Sequence, residues 1–307
     1  MSPPKTVFLV SFTTIVVNAG ATGKHSIPNT FPDLTSCLSQ PSFFSCENTT
    51  VIQNTCCSPT PGGLVLQTQF WDTYTGFEKQ GQKLPKNSWT IHGLWPDNCD
   101  GSYESYCDLS RQYDPKPSPA QLPDGTVVPP YTGPGIDTFI KEFGREDLLE
   151  YMNHYWVSQG SPNADFWGHE FSKHATCTST FDIACYGPGY RKNQDVVNYF
   201  DAAIRAFHQY PTFDMLAAAG IVPSNATAYT LTQFQTAIES QTGGIPYFGC
   251  SNNGTVLTEV WYFSHVFGTE QYGTYKTVAS TTKSSCSVTG AIRYLERTPS
   301  SEREVRK

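Results

Sequence analysis

The chain has little positive charge. Its 307 residues carry 20 Lys and Arg against 27 Asp and Glu, a formal net charge of −7. That excludes a protein that coats nucleic acid by bulk electrostatics, though not an enzyme with a local cationic pocket that must release an anionic product. Long apolar runs are also missing: nothing beyond the N-terminus approaches the roughly 20 residues of a membrane span, so no membrane partner is expected. No paired CxxC array of the zinc type is present, and no internal repeat suggests a solenoid.

What is present begins with an export signal. Residues 1–21 combine Lys5, an apolar stretch from Val7 to Val17 and the small residues Ala19-Gly20-Ala21, the three parts of a secretory signal peptide. Its removal would delete Lys5 and no acidic residue, taking the charge from −7 to −8. The expected location is secreted, extracellular or in a vacuole-like compartment. Ten cysteines then remain, an even set that implies up to five disulfides in an exported chain. A bridge between the adjacent Cys56 and Cys57 would be strained, so each is expected to reach a different partner. Sequons at Asn48, Asn225 and Asn253 fit the same compartment.

Periodicity predicts strands over 63–71 and 89–94, the second with Thr90, His92 and Leu94 on one face and Trp89 and Ile91 on the other. A helical pattern over 137–156 is interrupted by Gly144. The clearest helix covers 195–208, and Thr230 with Gln233 forms a capping box opening another. A late strand runs from Thr255 to Phe263. Strands and helices do not alternate regularly, so the expected fold is α+β, a central antiparallel sheet packed with helices and stapled by disulfides. One domain is expected over 22–292. Within it, residues 113–135 carry seven prolines and read as an irregular surface loop, while the charged stretch 293–307 reads as a solvated tail.

Two short runs concentrate the chemistry: Trp89-Thr-Ile-His-Gly-Leu-Trp-Pro-Asp97 and Phe166-Trp-Gly-His-Glu-Phe-Ser-Lys-His-Ala-Thr-Cys177. Three of the seven histidines lie in them, with a carboxylate, an ammonium and several aromatics. Imidazoles give and take protons near neutral pH, cations stabilise anions, and aromatic rings stack on bases. If the second run is helical, Glu170 and His174 are i,i+4 neighbours, and His169 and Lys173 form a second such pair turned about 100° away. A zinc-protease helix needs H-E-x-x-H; His169 and His174 are five apart, a poor angle for a shared metal, so no metal or other cofactor is expected.

Together the two runs resemble the paired active-site segments of the ribonuclease T2 family, and the cysteine placement is similar to its secreted fungal branch. The likeness extends from about Cys37 to Cys286. Ala175 stands where many members have Gly, and Phe171 where many have Trp; neither removes a reactive group. The proline-rich loop and charged tail have no obvious counterpart in compact members. The resemblance implies a single-stranded RNA substrate, cut through its own 2′-hydroxyl, with no action on DNA and a monomeric enzyme. It implies His174 as general base, His92 as general acid, His169 as phosphate holder, and Glu170 and Lys173 as transition-state stabilisers. It further implies Trp95, Asp97 and Tyr103 around the upstream base, and Gln69, Phe166, Ser158 and Gln159 around the downstream one. The disulfides it implies are Cys37–Cys56, Cys46–Cys99, Cys57–Cys185, Cys107–Cys177 and Cys250–Cys286. The rival from another class is a secreted interaction or signalling protein whose effect does not need RNA cleavage.

Overall fold

The computed structural model describes Cys37 and residues 43–303. The expected signal segment and the last four residues of the tail lie outside them. Four strands make the body of an antiparallel sheet: β1 (Leu64–Phe70), the edge strand β3 (Thr90–Asp97), β5 (Val256–Phe267) and β4 (Tyr247–Ser251), in the order β3-β1-β5-β4. A fifth strand, β6 (Thr274–Val278), pairs with the far half of β5. The late strand therefore runs on to Phe267, past its expected end. A separate parallel pair joins β2 (Leu84–Pro85) to β7 (Glu302–Arg303).

Among the described residues, six α-helices pack around this sheet and on one another. The expected 137–156 segment divides into α1 (Ile136–Glu142) and α2 (Glu146–Tyr155), because Gly144 turns the chain at φ +66°. α3 (Asn163–Lys173) and α4 (Gln194–Phe207) follow, then α5 (Thr212–Ala218) and α6 (Leu231–Thr242). The capping box of Thr230 and Gln233 opens α6. Val196, Phe200, Ala203 and Phe207 form the apolar stripe of α4, buried with Ile91, Leu94, Trp167 and Phe171 in one core. A second core gathers Trp71, Trp89, Phe234, Val260 and Tyr262 beneath α5 and α6.

Two expectations need correction. Residues 293–303 are not a solvated tail: Tyr294, Arg297 and Ser301 are buried, Trp89 donates its indole N–H to the Tyr294 hydroxyl (2.9 Å), and the Arg297 guanidinium lies 3.9 Å from the Trp71 ring. The buried Tyr294 ring and the Arg297 guanidinium stacked on Trp71 hold this charged stretch against the second core. The base of the proline-rich loop is likewise not at the surface. Asp114 and Val128 are buried and Tyr131 packs on the core, while Val127 at the tip is exposed.

Five disulfides form, and two differ from the expected pairing: Cys37–Cys57 and Cys56–Cys185 replace Cys37–Cys56 and Cys57–Cys185. The Asn54–Cys57 turn buries Cys57 and leaves Cys56 facing outward. Ser179 Oγ, bonded to the carbonyls of Thr55 and Ser58, brings the segment that carries Cys185 against that outward side. The bridges Cys46–Cys99, Cys107–Cys177 and Cys250–Cys286 form as expected. In the last two, an exposed Cys107 and a half-buried Cys250 each reach inward to a buried partner, Cys177 and Cys286. The first of these ties the end of the second active-site run to the segment before the proline-rich loop, and the other fastens β4 to the chain beyond β6.

Candidate active site

His92 is aimed by an irregularity in β3. Thr68 pairs with Gly93 and Gln69 with Ile91, so His92 is one extra residue opposite the β1 strand, a β-bulge. The bulge breaks the expected alternation. Leu94 joins Ile91 in the helix-side core, while His92 and Trp95 share the other face, with ring centroids 4.6 Å apart. Phe70 stacks on the imidazole at 3.7 Å.

α3 delivers the second run to the same place. Glu170 is fully buried, and its Oε1 lies 3.5 Å from His92 Nε2 while its Oε2 accepts the Trp95 indole N–H at 2.7 Å. Gly93 makes this approach possible, since a Cβ there would lie 2.0 Å from Glu170 Oε2. His174 caps the helix and stacks on the other side of the cluster against Trp95, at 4.7 Å and 16° between planes. The indole thus contacts both imidazoles and the carboxylate. The His92 side chain keeps 16% exposure, while His174 is buried at 7%.

The electrostatics follow from this crowding. Burial holds His92 well below the usual imidazole range, helped by the charges of His169 and Lys173. Burial does the same to His174, with Lys173, His169 and His92 adding to it. Glu170 is pushed up to about 7, again by burial, against the pull of His169, the Trp95 hydrogen bond and Lys173. Burial thus drives both imidazoles toward the neutral, proton-accepting form and Glu170 toward the neutral, proton-carrying one. That set suits acid–base chemistry on a phosphodiester.

A model of the ribonuclease T2 family matches residues 62–286. Ribonuclease T2 of Aspergillus oryzae is 37% identical over 253 residues, covering 82% of this chain and 81% of that protein. Ribonuclease Trv of Hypocrea rufa is 40% identical over 233 residues, covering 75% and 86%. Among solved structures, the T2 ribonuclease Actibind superposes with a TM-score of 0.69 at 33% identity, covering 83% of this chain and 95% of that one. The chain belongs to the ribonuclease T2 family. It is an endoribonuclease, and its substrate is RNA.

As a T2 ribonuclease, the chain can be compared with the rest of the expected site. Asp97 is nearly buried, burial pushes its carboxyl up to about 7, and its backbone bridges to the well-exposed Tyr103. Phe166 is half-buried, 5.7 Å from the His92 ring. Gln69 does not belong with these. It is fully buried on the helix side of the sheet, its amide bonded to Gln67, the Tyr210 carbonyl and the Thr212 hydroxyl, so it cannot meet a base. Ser158 is buried with its hydroxyl on Ser161, and Gln159, exposed, donates to the Tyr74 carbonyl. Lys173 lines a cavity of about 850 Å³ together with Tyr103, Tyr106, Pro119 and Leu122. The three sequon asparagines are all exposed.

The structure also corrects the geometric ground on which a metal was set aside. His169, Glu170 and His174 each place one potential ligand atom within 4.8 Å of the others. His174 sits at the end of α3 with φ −110° rather than in regular helix, which removes the poor angle expected of a five-residue spacing.

Sequence reasoning missed three contributors. Glu259, opposite Phe70 on β5, brings Oε2 to 4.0 Å from His92 Nδ1 and is held by the Trp261 indole. Its signal was a lone carboxylate inside an otherwise apolar strand. Phe70 closed a β1 pattern and carried no mark of its own. Asp114, 2.7 Å from His169 Nδ1, comes from the proline-rich loop and had no local signal.

Proposed function

We propose that this ribonuclease cleaves single-stranded RNA with little base preference by transphosphorylation to a 2′,3′-cyclic phosphate, followed by hydrolysis to a 3′-phosphate. The observation that supports it best is the convergence of His92, Glu170 and His174 on the Trp95 indole. In the first step His174 takes the 2′-hydroxyl proton and the 2′-oxygen attacks phosphorus. The bond to the 5′-oxygen breaks and His92 supplies that oxygen with a proton. In the second step His92 takes a proton from water, the hydroxide attacks phosphorus, and His174 returns a proton to the departing 2′-oxygen. His169 holds the phosphate. Lys173 and Glu170, neutral below its raised pKa, stabilise the charge that gathers on the phosphoryl oxygens. Trp95, Phe166 and Tyr103 offer stacking surfaces worth about 1–3 kcal/mol per base, which tolerate any base.

DNA supplies no 2′-nucleophile and is inert on this reading. Because both histidines are held low, the protonated acid becomes abundant only in acid, and the pH–rate profile is a bell centred below about 6.5, the ordinary imidazole value. The enzyme acts outside the cell or in a vacuole-like compartment, as a glycosylated monomer that needs no metal. The test is digestion of polyU and dinucleoside phosphates with EDTA present and product ends identified. Cyclic phosphate from RNA and nothing from DNA is expected. His92→Phe and His174→Phe should each abolish measurable turnover, whereas His169→Phe should mainly raise KM. Near-normal rates in either of the first two would refute the assignment.

A further inference from the structure

The proline-rich loop returns to the site through one carboxylate. Asp114 is buried, and its Oδ2 lies 2.7 Å from His169 Nδ1 and accepts the Tyr106 hydroxyl at 2.8 Å. Its Oδ1 accepts the Lys116 amide at 2.7 Å. Burial opposes ionisation here, yet the hydrogen bonds from His169, Lys116 and Tyr106 hold the carboxyl below the usual carboxylate range. An ionised carboxylate only accepts, so the nitrogen facing it carries the proton: His169 donates from Nδ1 and leaves Nε2 for a ligand.

The surrounding chain fixes this carboxylate from several sides. Gln112 brackets the Asp114 backbone, accepting its N–H and donating to its carbonyl. The Tyr131 amide donates to the same carbonyl, which closes the base of the loop. The Tyr113 amide donates to Ser172 Oγ on α3 at 2.7 Å. Gly168 permits the contact, because a Cβ there would lie 2.6 Å from the Tyr113 carbonyl oxygen. Tyr106 accepts the Ser118 amide on its hydroxyl, and its own N–H binds the Lys173 carbonyl. Seven prolines thus stiffen a segment whose two ends are pinned to the catalytic helix and to each other.

We propose that Asp114 is a positioning residue that locks the His169 ring by accepting its Nδ1–H, so that Nε2 of the protonated ring donates its own N–H to the scissile phosphate, and that this is what the proline-rich loop contributes to the reaction. The inference rests on the reading of His169 as phosphate holder. Partners behind a functional imidazole typically account for 10–100-fold of its affinity.

The experiment compares Asp114→Asn, Tyr106→Phe and His169→Phe for kcat and KM on a dinucleoside phosphate, and for inhibition by inorganic phosphate. Asp114→Asn is expected to raise KM and the phosphate inhibition constant about 10–100-fold, with kcat much less affected. Tyr106→Phe should give a smaller change in the same direction. Combined with His169→Phe, Asp114→Asn should add nothing, because it acts through that ring. Nitrogen-15 spectra of the wild type should show a proton on His169 Nδ1 both when the ring is neutral and when it is also protonated at Nε2; a bare Nδ1 would overturn the proposal even if Asp114→Asn failed to fold. So would an unchanged KM in Asp114→Asn, or an undiminished further loss in the double variant. Unchanged KM in His169→Phe, with cleavage of RNA intact, would remove the phosphate-holding role and the proposal with it, and leave the nuclease chemistry standing.

Discussion

At the scale of single residues, the site depends on positions with no reactive group. Gly93 separates His92 from Leu94, and only its missing Cβ lets Glu170 lie across β3 and meet the Trp95 indole. Gly93→Ala would set a methyl group 2.0 Å from Glu170 Oε2 and 2.4 Å from Trp95 Nε1. The carboxylate would have to move by an ångström or more, a displacement that can cost on the order of 100-fold in rate. Steady-state kinetics should show that loss mainly in kcat, and a melting curve should show a penalty of no more than about 1–3 kcal/mol for the overpacking. Unaltered kcat would mean that Glu170 has room the structure does not show. The convergence of His92, Glu170 and His174, proposed for the acid–base chemistry, was legible because each run is short and its spacing is local. Gln69 was misplaced for the opposite reason. Which face of β1 it occupies depends on contacts with Tyr210 and Thr212, far along the chain. The bulge at His92 was equally hidden, since it exists only in the pairing of β3 with β1.

At the scale of elements, patterns set by neighbours in sequence were readable, and those set by distant partners were not. The capping box opened α6 and Gly144 split α1 from α2, both from residues a few positions apart. The C-terminal stretch misled because its charges dominate its composition, while its one buried aromatic, Tyr294, finds its pocket against Trp71 and Trp89. Tyr294 is fully buried, edge-on to Trp71 at 4.7 Å, and its hydroxyl receives the Trp89 indole N–H. Trp89 sits just before β3 and Trp71 just after β1. The tail therefore braces the two strands that aim His92. Tyr294→Ala leaves a cavity and an unpaired indole N–H, and comparable aromatic truncations cost about 3–5 kcal/mol. Denaturant unfolding of Tyr294→Ala should show a loss of that size. A change below about 1 kcal/mol would return the tail to the surface.

Over the whole molecule, the buried ionisable groups lean in one direction. Burial pushes Asp72, Asp97 and Glu170 up to about 7 and Glu270 to about 8, and it raises Glu259 as well. Each of these carboxyls binds its proton more tightly folded than unfolded. For Asp72, Asp97, Glu170 and Glu270 that contribution is fully present below the unfolded value, about 4, and is lost as pH rises through 7 to 8; Glu259 acts in the same direction. His92 and His174 oppose this, because their depressed values make the folded state lose stability as pH falls below about 6.5. Burial also lowers His154 and raises Asp182, so three histidines stand against six carboxyls, and stability should keep rising as pH falls from 8 to about 5. Below that the carboxylates held low, among them Asp114 and Asp108, begin to be protonated at the expense of the fold. In a domain of this size 1 kcal/mol moves Tm by roughly 2–4 °C. Calorimetry should find Tm several degrees higher at pH 5 than at pH 8, and Glu270→Gln should flatten the upper part of that slope without touching catalysis. A Tm that climbs from pH 5 to pH 8 would show that these carboxyls are solvated in the folded protein. The same burial that depresses the His92 and His174 imidazoles would then lose its support, and the acid-shifted activity profile proposed above would have to fail along with it.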